Sequence, residues 1–107
     1  MLTFETLVAW LQTRYGWQRP ERRISDLGFA YSVNTQPDAY LDGDQGAMTW
    51  GNGPVIVLKR TGAVWPLGSG PVFLPLFQAR TEAEFEQAVT TAMPGVDPQR
   101  PHEVIPF

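Results

Sequence analysis

The chain has 107 residues, of which 43% are hydrophobic and 18% charged, and its formal net charge is -3. That composition is too apolar for a disordered chain and large enough for one core, so a single domain is expected. The absence of cysteine excludes disulfides, thiolate metal sites and cysteine nucleophiles, and mild acidity lacks the one-sided basic footprint of a nucleic-acid binder.

Thr3 suits an N-cap with Leu2 as a hydrophobic staple, and Phe4, Leu7, Val8, Leu11 and Tyr15 recur on one helical face. Gly16 terminates that pattern, so the first helix is predicted over residues 4–15. Residues 17–23 read as a polar connection, and residues 28–34 alternate around Phe29, Tyr31 and Val33 as a half-buried strand. Ala39–Leu41 reads as a strand end, and Asp42-Gly43-Asp44-Gln45-Gly46 as turn chemistry. Val55-Ile56-Val57-Leu58 is an aliphatic run suited to a strand buried on both faces. Gly62 can take the positive φ of the hairpin that returns through Val64 and Trp65.

Gly68-Ser69-Gly70-Pro71 breaks the chain before Val72–Phe77, where Pro75 leaves an edge strand or an extended loop. Thr81 and Glu84 make a capping box, and Phe85, Ala88, Val89 and Ala92 share a face of a second long helix ending at Pro94-Gly95. Residues 96–107 carry three prolines and read as an extended tail beyond a domain spanning 1–95. The order predicts a small α+β domain: N-terminal helix, three- to four-stranded antiparallel sheet, C-terminal helix, both helices on one face. The start has no basic region leading into an apolar core, and no apolar run approaches the roughly 20 residues of a membrane helix, so a cytoplasmic protein is expected.

Candidate chemistry is sparse. His102, the single histidine, lies in the proline-rich tail, a poor support for a general base, and reads as solvated. Asp42-Gly43-Asp44 opens like a calcium loop, but Ala47 and Gly53 stand where that loop needs glycine and glutamate. Gly51-Asn52-Gly53 leads into a strand and opens no helix, so it is no phosphate loop. Glu5, Glu82, Glu84 and Glu86 sit at helix starts, where acids favour the macrodipole. Arg14, Arg19, Arg22 and Arg23 around Trp17 form the basic cluster and read as a solvated face or local ion pairs. Catalytic residues, metals and cofactors are therefore not expected, and the chain reads as a non-enzyme.

The stretch Gly51-Asn52-Gly53-Pro54, the aliphatic strand, Lys59-Arg60-Thr61-Gly62 and a return strand closing on Leu67-Gly68 resembles the YrhB-type family. Phe29-Ala30-Tyr31-Ser32-Val33-Asn34, followed by Ala39-Tyr40-Leu41-Asp42-Gly43-Asp44, is similar to that family's aromatic strand and following turn. The resemblance runs over roughly residues 4–92 and departs from the family at the added apolar stretch Val72–Phe77, which reads as core cover or an apolar interface. Family members are bacterial immunity proteins, which neutralise toxins used between competing cells. The resemblance thus implies a cytoplasmic binding protein that occludes the active site of a cognate toxin. Charge complementarity to a basic toxin cleft and the placement of aromatic anchors make Asp38, Tyr40, Asp42, Asp44, Trp50 and Trp65 the candidate partner contacts. The alternative is a self-associating, chaperone-like or housekeeping binding domain, with a homodimer as its partner form; a carboxylate hydrolase ranks below both.

Overall fold

The computed structural model describes residues 1–49 and 53–107. Helix α1 spans Phe4–Tyr15, and strands β1 (Ile24–Asp26), β2 (Ala30–Val33), β3 (Val55–Leu58) and β4 (Ala63–Pro66) follow, with a one-turn helix α2 (Asp38–Leu41) between β2 and β3. Helix α3 (Leu74–Gln78), helix α4 (Glu82–Ala92) and strand β5 (Glu103–Val104) complete the chain. The strands form one antiparallel meander in the order β1-β2-β3-β4-β5.

Local chemistry sets the ends of α1 as the sequence predicts. The Thr3 side chain accepts a hydrogen bond from the Thr6 N–H, and Gly16 closes the helix at φ 72°. Leu2 is buried and its N–H donates to the Lys59 carbonyl at 2.7 Å, tying the chain's start to the β3–β4 hairpin. In that hairpin Gly62 adopts φ 76° and donates to Leu58, as its position in the turn requires.

The sheet is covered on both faces, which corrects the expectation of helices on one side. Leu7 and Leu11 of α1 pack with Tyr31, Val33, Val55, Val57 and Val64. Phe85, Ala88 and Val89 of α4, with Leu76 of α3, pack with Ile56, Leu58 and Trp65 on the opposite face. The reason lies in β3, where successive side chains alternate between faces and all four are buried apolar groups. Such a strand needs a layer on each side.

Three further corrections concern the ends of the sheet and the loops. Among the described residues there are five strands, because residues 96–107 do not form a separate tail: Val104 pairs with Ala63, and Ile105 is 1% exposed in the α1-side core. Val72–Phe77 is neither edge strand nor loop but a 3-10 turn running into α3, since Pro75 falls in the first turn of a helix, where its missing N–H costs nothing. Leu76 from this stretch is fully buried, while Val72 and Leu74 are exposed. Ala39–Leu41 is helical, with the Asp42 N–H donating to Asp38 at 2.9 Å.

Candidate functional site

Beyond β2 the chain leaves the sheet, makes the α2 turn and a 3-10 turn over Gln45–Ala47, and returns towards β3. This segment forms a ledge whose two ends are joined by one side chain. The Gln36 amide donates to the Thr49 carbonyl at 3.2 Å and accepts from the Thr49 N–H at 2.8 Å, standing in for a backbone pair. Gly43, at φ 107°, turns the chain after α2, and the Asp44 carboxylate accepts from the Gly46 N–H at 3.0 Å.

The ledge is held to the body by Arg22 and Arg23, which follow Pro20 in a 3-10 turn leading into β1. Arg23 is 3% exposed and is the one buried charged residue among those described. Its Nη1 donates to the carbonyls of Asn34 at 3.0 Å and Gln36 at 2.5 Å, and its Nη2 donates to Asp38 Oδ1 at 2.8 Å. The guanidinium carbon lies 3.9 Å from the centroid of the Trp17 ring, on which Tyr15 stacks at 4.3 Å. Arg22 bridges both ends of α2, donating to Asp38 at 3.1 Å and to Asp42 at 2.7 Å. Its hydrogen bond, reinforced by Arg23, holds the Asp38 carboxyl below the ordinary carboxylate value.

The basic cluster and the acidic loop, separate in the sequence, are therefore one structure. Asp38 and Asp42 spend their charge on Arg22 and Arg23, whereas Asp44 is exposed and serves its own turn. Tyr40 is half-buried and lines a cleft of about 290 Å3 beneath the ledge, together with Arg23, Ser25, Ser32 and Asn34. Ser25 and Ser32 are cross-strand partners in β1 and β2. Ser32 shares its face with Ala30, so both serines lie on the α4 side of the sheet, beyond the apolar cover.

The other sequence candidates fall elsewhere. Trp65 is 4% exposed and packs edge-on against Phe85 at 6.3 Å, which makes it a core residue. Trp50 lies outside the described residues. His102 is exposed beside an apolar groove formed by Trp65, Pro66, Met93 and Val96. Sequence reasoning missed the burial of Arg23. The signal was the combination of Trp17, the Arg22-Arg23 pair and the aspartates of the ledge, whose meaning depends on contacts 15 residues apart.

Among the described residues no helix is long and apolar enough to cross a membrane. The class the fold defines is an α+β domain with a five-stranded antiparallel sheet. No protein-family model matches the chain, and neither a curated protein nor a solved structure matches it.

Proposed function

We propose that this protein is an immunity protein that binds a cognate bacterial toxin through the ledge and occludes the toxin's active site in the cytoplasm. The observation that carries the reading is the clamped ledge. A surface loop carrying exposed Asp42 and Asp44 and half-buried Tyr40 is fixed in advance by a buried arginine and by the Gln36–Thr49 bridge. Ordering such a loop before contact removes an entropic cost of association, which is how small binding proteins reach tight affinity. The likeness of Tyr40-Leu41 and Gly43-Asp44 to the immunity family's turn falls on this same ledge. Of the candidate contacts, Tyr40, Asp42 and Asp44 are the ones this reading retains, with Asp38 as the internal anchor and Trp65 assigned to the core.

The test is co-expression with the C-terminal domain of the protein encoded next to this one. The reading expects that domain to arrest growth alone, and to be silenced and co-purified when this chain is present. A harmless neighbour, or a toxic one that is neither bound nor silenced, contradicts it.

A second reading, self-association without a toxin, draws on Val72 and Leu74, which are 55% and 51% exposed on adjacent turns. It expects sedimentation of the isolated chain as a dimer that Val72→Ser/Leu74→Ser converts to monomer.

A further inference from the structure

The cleft beneath the ledge is lined by polar groups of two kinds: the side chains of Asn34, Thr35 and Gln36 are engaged by the fold, whereas Arg23, Ser25, Ser32 and Tyr40 keep donors in reserve among the described residues. Of its described lining residues only Arg23 carries formal charge, and that charge is positive. A guanidinium has five N–H donors, and Arg23 uses three of them, on Asn34, Gln36 and Asp38. Its Nε is buried and has no acceptor among the described residues. A buried donor without an acceptor is costly to keep, and structures seldom do so without reason. Ser25 and Ser32 add two hydroxyls from neighbouring strands, and Tyr40 a third from the ledge.

We propose that this cleft is a subsite for a single carboxylate group. A planar carboxylate matches a guanidinium edge and accepts from hydroxyl donors at the same time. Arg23 is already shared with Asp38, so the wall carries no surplus cation for a dianionic phosphate, and a monoanion would be held by hydrogen bonds from the remaining donors rather than by net charge. A volume of about 290 Å3 admits a small acid together with water and is at the low end for larger ligands. The proposal goes beyond toxin binding, because a ledge contact does not require the cleft beneath it to be filled. The carboxylate comes either from a free small acid or from an aspartate or glutamate side chain of a polypeptide.

Nuclear magnetic resonance of the full chain, recorded at constant ionic strength, tests this with two probes and their uncharged counterparts. The probes are acetate and the blocked tripeptide acetyl-Gly-Glu-Gly-amide; the controls are acetamide and the corresponding glutamine peptide. Saturable shifts of the Arg23 Nε–H and of the Ser25 and Ser32 amides are expected with the acids and not with the amides. Tighter binding of the glutamate peptide than of acetate assigns the site to a polypeptide side chain; tighter binding of acetate assigns it to a free acid. The double variant Ser25→Ala/Ser32→Ala leaves the Arg23 clamp in place and weakens binding by about ten-fold or more. The proposal is overturned by an absence of saturable shifts, by equal shifts with acetamide, or by unchanged affinity in the serine variant.

Discussion

Replacing Arg23 with methionine keeps an unbranched, apolar stem of similar reach and removes the guanidinium alone. Two carbonyls, of Asn34 and Gln36, lose their charged donor in a part-buried setting. Hydrogen bonds to a charged partner contribute about 1.5–3 kcal/mol each in favourable cases. The Trp17 contact at 3.9 Å adds about 1 kcal/mol. Asp38 is 67% exposed and rehydrates once released, so its pairing contributes little to the total. Against these losses stands the relief of no longer burying a cation, which offsets part of the sum. The net expectation is a loss of about 3 kcal/mol, which for a domain of this size lowers Tm by roughly 10 °C or more. Thermal unfolding followed by circular dichroism gives the global effect. Amide hydrogen exchange gives the local one, with the amides of Leu41, Asp42 and Asp44 losing protection first. Arg23→Lys retains the charge without the fork and recovers only part of the stability. A Tm change under about 3 °C in Arg23→Met, with ledge protection intact, refutes the clamp.

Three other perturbations probe the framework. Ile105→Ala is expected to destabilise by about 3 kcal/mol, because the side chain is 1% exposed, while Val104→Ala next to it, 52% exposed, changes stability by about 0.5 kcal/mol or less in urea unfolding. Gly62→Ala and Gly16→Ala both place alanine at positive φ, at about 1–2 kcal/mol each. Gly62→Ala additionally drives its Cβ into the Ile105 carbonyl, so it unfolds at clearly lower urea, whereas the Cβ at Gly16 meets open space. Lys59, with help from the Gly28 N–H, lowers the Asp26 carboxyl from its ordinary value of 3.8. A depressed carboxylate stabilises the fold above its unfolded value and loses that contribution as pH falls through its folded value. The stability gap between wild type and Asp26→Asn should therefore be steady at neutral pH and close as pH drops below 3.8; a gap unchanged by acid contradicts the Lys59 pairing.

What the sequence revealed depended on how local the deciding physics is. Helix α1 and the β3–β4 hairpin were legible because Thr3, Gly16 and Gly62 act on their own immediate backbone. The placement of the helices was implicit in Val55–Leu58, whose unbroken apolar run calls for cover on both faces, but periodicity in α1 and α4 does not say which face each takes. Pro75 was ambiguous because the same missing N–H that weakens a strand is harmless in a helix's first turn. Glu103-Val104 is too short to show alternation, and Ile105 acquires its meaning only by reaching Gly62, whose carbonyl its N–H meets at 2.8 Å. In the site, the ledge's acids were visible and their partners were not. A run of charges reads as solvated until the fold brings Trp17 and Asp38 around Arg23.

The most direct test of the proposed ledge interface is the affinity of the C-terminal domain of the protein encoded next to this one for two variants. Tyr40→Ala/Asp42→Asn/Asp44→Asn alters the ledge, and Val72→Ser/Leu74→Ser alters the exposed turn ahead of α4. Titration calorimetry at two salt concentrations is expected to show the ledge variant weakened by about ten-fold or more, most strongly at low salt, with the turn variant unchanged. Unchanged affinity in the ledge variant, or a loss confined to the turn variant, contradicts the account.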